Sequence, residues 1–312
     1  MLPPVESRQA AFDWASRWSG RIPDRFEYLS GGYNNSNYLM VLDEDERGVR
    51  DECGVRDEYG VRDEYGVRDE YGVGDEYVVR FCDRFGGGDE FPGIDRKREL
   101  THIEHAGELT AELVHFELPA GHMVTRHVKG RHPLPDQRRE EDLEASAALL
   151  KRVHALPRVS FHYDPFEVVL DYLERARRLG TRVPGPFERA AEEPWQSEST
   201  HFCHNDFNPW NLVLGATDAW VLDWEWSGTG DPFFDVAGVV VTHELTPEDA
   251  DRFLELYLGQ AADGTIKRRL ARAMRLYWLR EGGWALLQVA CGNQRHEIAQ
   301  QLAAAIEYLG GR

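Results

Sequence analysis

The chain has 312 residues, a formal net charge of −19, 42% hydrophobic residues and 11% aromatic ones. That is the composition of a globular chain long enough for two domains, or for one large domain with two lobes, and it excludes a disordered one. So acidic a surface argues against nucleic acid or an anionic membrane as partner and would draw in a cationic small molecule.

No apolar run reaches the length of a membrane span, so no membrane insertion is expected. The start, "MLPPVESRQAAFDW", lacks a basic stretch followed by an apolar one, and no secretory leader is expected. Cys53, Cys82, Cys203 and Cys291 show no paired spacing, which points to a reducing, cytoplasmic setting.

In chain order, residues 10–19 predict an opening helix. "FEYLSGGYNNSNYLMVL" (26–42) predicts strand, polar glycine turn, strand. Next comes a hexapeptide, Gly-Val-Arg-Asp-Glu-Tyr, in five near-identical copies over 48–77, and then "EYVVRF" (76–81), again strand-like. The apolar spacing of Ile94, Leu100 and Ile103 predicts a helix over 93–106, and 112–130 predicts two short strands. From about residue 139 the texture turns to amphipathic helices, at 140–156, 166–179, 248–259 and 266–290, with two strand-like runs inside 201–237. A small β-rich lobe followed by a large helical lobe is the expected architecture.

The repeat invites a function of its own, but its pattern gives none. Six residues turn a helix through 600°, which scatters Val and Tyr around the axis. A β-helix would carry an Asp inward at every turn, and the Asp-Glu pairs lack the spacing of a calcium loop. The copies fall between two strands that a short turn would normally join, so they predict an expanded hairpin turn.

Candidate chemistry is densest in "HNDFNPWN" (204–211) and "VLDWEW" (221–226). Asp206, Asn211 and Asp223 are hard-oxygen groups suited to Mg²⁺ bound with phosphates, with one carboxylate left to accept a proton. His201, Cys203 and His204 fit no usual zinc spacing. "GGYNNSN" (31–37) could cradle phosphate oxygens with Gly31, Gly32 and Asn35, and fits an ordinary hairpin turn equally well.

"HNDFNPWNLV…LDWEWSGTGDPFFDVA" resembles the choline/ethanolamine kinase and aminoglycoside phosphotransferase group, relatives of protein kinases; "LSGGYNNSNYLMV", "IDRKREL" and "LLKRVHALP" are similar to the same group. The resemblance implies an α+β, bilobal, protein-kinase-like fold. A nucleotide-binding lobe would span 1–128, with the repeat inserted in one of its hairpins, and a catalytic and substrate-binding lobe 129–312. It further implies ATP and Mg²⁺ as cofactors and a small alcohol as acceptor.

By that likeness Asp206 is the catalytic base, His204 braces its loop or is simply a buried histidine, and Asn211 and Asp223 hold the metal. Arg80 stands where protein kinases carry a phosphate-binding lysine, Glu99 pairs with it, and the adenine lies along 125–128, near Thr125 and His127. Asp235 is expected to anchor the loop. Glu244, Trp284 and Trp226 are the candidates for an acceptor site, with Trp224, Tyr277 and Trp278 nearby, since a quaternary ammonium is held by aromatic faces and a carboxylate. Glu281 stands where choline kinases offer a second tryptophan, which keeps ethanolamine, thiamine and aminoglycosides open beside choline. The rival from another class is a nucleotide-binding pseudokinase without turnover.

Overall fold

A computed structural model of the chain describes residues 3, 5–29, 35–43, 75–82, 94–193, 195 and 197–311. Helix α1 (Val5–Ser19) opens five residues earlier than the sequence pattern predicts. It is followed by β1 (Arg25–Leu29), β2 (Ser36–Leu42), β3 (Asp75–Phe81), α2 (Arg96–Ala106), β4 (Leu113–Glu117) and β5 (His122–Arg126). The five strands form one antiparallel sheet in the order β1-β2-β3-β5-β4.

Successive strand residues point to opposite faces, and β2 obeys this throughout, burying Ser36, Tyr38, Met40 and Leu42. Tyr38, Met40 and Leu42 pack with Tyr77, Val79 and Val124 against Ala11, Trp14 and Ala15 of α1. Arg80 follows Val79 and so faces the other side of the sheet, where α2 lies.

Asp95 caps α2, its side chain accepting from the Arg98 amide at 3.0 Å. The predicted apolar stripe is corrected here. Ile94 and Leu100 are only half-buried, and the inward face is Glu99, His102, Ile103 and Ala106. The helix turns this way because Glu99 has an arginine to meet across the sheet. Burial holds the His102 imidazole down at about 4, hence neutral, beside the Ser227 hydroxyl at 2.9 Å.

Of the hexapeptide units only Asp75, Glu76 and Tyr77 lie among the described residues; the expanded-turn expectation for the others lies outside them. These three open β3. Asp75 pairs with Arg126 at 2.7 Å, Glu76 accepts from His127 at 2.9 Å, and the Tyr77 ring meets Trp18 edge-on at 5.9 Å. The second half of the last copy is therefore part of the sheet. β2 and β3 pair directly, with Leu42 opposite Asp75.

Deleting 48–71 spares that copy, and the variant is expected to fold and to turn over within about threefold of the parent. Its melting temperature should be equal or slightly higher, because halving a loop lowers closure cost by only about 0.6 kcal/mol. Kinetics and a thermal melt of the purified variant check this; an inactive or unfolded product would mean the copies serve the site or the sheet.

Past β5 the chain crosses to the helical part. Arg131 and Leu214 exchange backbone hydrogen bonds at 3.0 and 2.8 Å. A side chain at Gly130 would start only 2.7 Å from the Leu214 carbonyl oxygen, so this crossing needs glycine. There follow α3 (Glu140–His154), α4 (Pro165–Arg178), α5 (Gly185–Glu192), β6 (His201–Cys203), β7 (Leu212–Leu214), β8 (Ala219–Val221), β9 (Gly228–Gly230), α6 (Pro232–Thr242), α7 (Pro247–Leu258), α8 (Gly264–Ala290) and α9 (His296–Gly310).

β6 pairs with β9 and β7 with β8, both antiparallel. The long α8 packs against α4, α6 and α9 and forms the spine of a second, larger apolar cluster. Ile103, Ala106 and Leu109, from α2 and the turn after it, join that cluster. Among the described residues no helix is long and apolar enough to cross a membrane.

Candidate active site

The segment between β6 and β7 is held from beneath by one buried carboxylate. Asp235, in the first turn of α6, accepts from the backbone amides of His204 at 2.8 Å and Asn205 at 2.6 Å, and from His154 Nε2 at 3.0 Å. The Tyr257 hydroxyl lies 2.8 Å from the other ring nitrogen of His154. Asn205 is thereby fixed at φ 64°, a left-handed conformation that asparagine tolerates better than most residues.

The turn presents Asp206, whose Oδ2 accepts from Asn211 Nδ2 at 3.0 Å while its backbone carbonyl accepts from the same nitrogen at 2.9 Å. Spending Nδ2 in this way leaves the amide oxygen of Asn211 as a ligand. His204 is fully buried and burial pushes its imidazole below the usual range. It joins the Leu222 carbonyl through Nε2 at 3.0 Å. It thus ties the Asp206 turn to the residue preceding Asp223, and its place is structural support.

Asp223 follows β8, also at positive φ (63°). Its Oδ1 is buried and makes no hydrogen bond among the described residues; the Arg80 guanidinium is 3.7 Å away. Burial first, then the neighbouring Glu225, pushes the Asp223 carboxyl well up. Glu99, Asp223 and Glu225 bring carboxylate oxygens within 4.8 Å of one another. Three carboxylates against Arg80 and Arg96 leave an acidic surplus, and an orphaned buried oxygen within it is what a hard cation relieves. The donor set fits Mg²⁺.

Arg80 bonds Glu99 and donates to the Gly121 carbonyl at 3.1 Å. Arg96, one helical turn before Glu99, bridges Glu99 at 2.7 Å and Glu225 at 3.1 Å and reaches toward Asn35 Oδ1 at 3.5 Å. Burial acts to raise Glu99, but the two guanidinium groups outweigh it and hold the carboxyl below the ordinary range. Neither Arg96 nor Glu225 is evident from sequence, although the three-residue spacing of Arg96 and Glu99 and the alternation Asp223-Trp224-Glu225 were there to be followed. Gly31 and Gly32 lie outside the described residues. Asn35 and Thr125 are buried, and His127 is engaged with Glu76 through both its ring and its amide.

On the opposite side, α8 brings Arg280 to the loop, donating to the Asn205 carbonyl at 2.6 Å and to Asp206 Oδ1 at 3.3 Å. Glu281 pairs with Arg280 at 2.7 Å and accepts from Gln301 at 2.6 Å. Trp284 stands half-buried one turn further along α8, and the half-buried Trp226 accepts from Asn205 Nδ2 through its carbonyl at 3.0 Å.

Glu244 lies exposed beyond the end of α6, at φ 50°, and its side chain makes no hydrogen bond or ion pair with this group among the described residues. Trp224 and Tyr277 are core residues, with Trp224 packed between Phe202 and His204, and Trp278 stacks on Tyr308 of α9 at 5.4 Å. His154, Cys203 and Asp235 also cluster, but the histidine and the carboxylate already satisfy each other there.

Residues 62–277 match the phosphotransferase enzyme family. The protein LicA of Haemophilus influenzae is 43% identical over 196 residues, covering 58% of this chain and 73% of that protein. Among solved structures, a choline/ethanolamine kinase family protein from Mesorhizobium loti superposes with a TM-score of 0.69 at 18% identity, over 96% of this chain and 94% of that one. Choline kinase LicA from Streptococcus pneumoniae gives 0.67 at 18% identity, over 97% and 100%. At such identity the superpositions speak for a shared α+β kinase-like fold, and the family match covers well over half of the chain. The chain belongs to the phosphotransferase enzyme family and is a small-molecule kinase.

Proposed function

We propose that this kinase moves the γ-phosphoryl group of ATP, with Mg²⁺, to the hydroxyl of a small cationic alcohol, choline or ethanolamine first. The observation that carries the proposal is the convergence of Asp206, Asn211 and Asp223, with the Asp223 oxygen buried and without a hydrogen bond. The family's LicA relatives and the acidic surface support the acceptor class.

Asp206 is the base that takes the hydroxyl proton, and Asn211 and Asp223, with Glu225 beside them, are the residues that would hold the metal. Bound Mg²⁺ would neutralise charge on the transferring phosphoryl group. Arg80, steadied by Glu99, reaches the phosphates from the sheet together with Asn35. Thr125 and His127 mark the adenine end, and the nucleotide lobe ends near residue 128. The acceptor lies toward Trp284 and Trp226, with Glu281, three residues before Trp284 on α8, or Glu244 as its carboxylate.

An ADP-release assay with Mg²⁺·ATP over amino alcohols, thiamine and aminoglycosides tests this. The expected result is release above background with choline or ethanolamine. Release that no acceptor raises would favour a nucleotide-binding protein without turnover, and an aminoglycoside as sole substrate would move the chain to the antibiotic kinases.

A further inference from the structure

We propose that Arg280 is a positioning residue for phosphoryl transfer, fixing the carboxylate of Asp206 from the side opposite Asn211; this rests on Asp206 being the base. The two carboxylate oxygens of Asp206 have different partners. Oδ2 takes the neutral amide of Asn211 from its own loop, and Oδ1 takes the guanidinium of Arg280 from α8, far along the chain. The same Nη2 also holds the carbonyl of Asn205 at 2.6 Å, while the amide of that residue is held by Asp235 at 2.6 Å. Residue 205, at its left-handed φ, is thus pinned on both peptide units, and the carboxylate that follows is fixed about its own torsion.

Arg280 is itself built in. Its side chain is 7% exposed and paired with Glu281, and its guanidinium carbon lies 5.2 Å from the Tyr277 ring and 5.5 Å from the Phe234 ring. Glu281 is tied in turn to Gln301 of α9. A planar fork can serve the Asn205 carbonyl, Asp206 and Glu281 at once, which the single ammonium of lysine cannot do in this geometry. The last helices of the chain therefore reach the reacting carboxylate through one side chain.

The test compares Arg280→Ala, Arg280→Lys and Asp206→Asn by steady-state kinetics and thermal melting, with and without added guanidinium. Arg280→Ala is expected to lower kcat by about 10- to 100-fold with the KM for ATP within about threefold, the scale of a small misplacement of a reacting group. Guanidinium at millimolar level should restore kcat by about fivefold or more where urea at equal concentration does not, because it refills the vacated site with the same charge-assisted donors. Arg280→Lys should stay well below the parent.

Turnover of Arg280→Ala within about threefold of the parent, or a loss that guanidinium does not relieve beyond urea, overturns the proposal, since misplacement of the base is its whole basis. Should Arg280→Ala fail to fold, Arg280→Ala/Glu281→Gln removes the stranded carboxylate and is read against Glu281→Gln alone, at saturating acceptor. Failure of both to fold would assign Arg280 to structure alone. A near-normal Asp206→Asn would sink the base assignment and this inference together, whereas an impaired Asp206→Asn beside a normal Arg280→Ala sinks only the inference.

Discussion

Asp206→Asn is expected to cut turnover by about a hundredfold or more while leaving ATP binding nearly intact, the range that loss of a general base produces. The amide keeps the size of the carboxylate and can keep an oxygen toward Asn211 Nδ2, now at 3.0 Å, so the loop should hold its shape. What is lost is the capacity to take a proton, together with the acceptor that Oδ1 offers Arg280 at 3.3 Å. Asp223→Ala should fail at a different step, losing productive binding of Mg²⁺·ATP, because the acidic surplus beside Arg80 and Arg96 would be reduced to Glu99 and Glu225 and the metal would lose a main anionic ligand.

Titration calorimetry of ATP with and without Mg²⁺, alongside steady-state kinetics, separates the two variants. Near-normal turnover in Asp206→Asn would show that another group takes the proton. Parent-like Mg²⁺·ATP affinity in Asp223→Ala would place the metal elsewhere.

Local signals account for what was legible in sequence. β2 alternates strictly, because one of its faces packs on the apolar cluster with α1 and the other is only half-buried, so alternation decides the facing of every side chain. α3, α4, α7 and α8 end within two residues of their predicted bounds, because amphipathic spacing meets capping residues such as Asp164, Thr246 and Asp263. α6 has no counterpart among the predicted helices. Its run "FFDVAGVVV" is β-branched and buried nearly all round, so it carries neither helical propensity nor an amphipathic stripe, and packing against α8 overrides both. α5 and α9 likewise have no counterpart among the predicted helices.

The site divides in the same way. Asp206, Asn211 and Asp223 stand close together in sequence, and the structure brings Asp206 and Asn211 into direct contact. Arg280 comes from 74 residues away and Arg96 reaches Glu225 across 129, separations over which no local pattern speaks. Glu244 shows the limit from the other direction: it is close to Asp235 in sequence, but α6 ends at Thr242 and Glu244 sits exposed beyond it at φ 50°, where helical spacing no longer says what it faces. Backbone offers a partial signal: Asn205 and Asp223 are two of the three non-glycine residues at positive φ among those described; Asn205 precedes the proposed base and Asp223 is itself a proposed metal ligand.

The anchoring of the loop supplies the second large effect. Asp235→Ala should cost about 3–5 kcal/mol of stability, the range for breaking a buried pair, since it strands the amides of His204 and Asn205 and the ring of His154 where no water reaches them. Turnover should fall with it, because the left-handed turn at Asn205 would lose the hold on its amide and keep only the Arg280 contact on its carbonyl and the side-chain bonds to the Trp226 and Cys203 carbonyls. Asp235→Asn sharpens the comparison. It keeps the volume and one acceptor oxygen, but the carboxylate now serves three donors with two oxygens, and an amide nitrogen must face at least one of them. Its melting temperature should lie between those of the parent and the alanine variant, while its turnover should drop further than its stability does, since Asp206 is aimed by the same amides. Denaturant unfolding and steady-state kinetics on both variants read the two effects separately. A parent-like midpoint for Asp235→Ala would mean that the loop is held by Arg280 and the β6–β9 pairing alone, and full turnover in either variant would mean that its aim does not depend on α6.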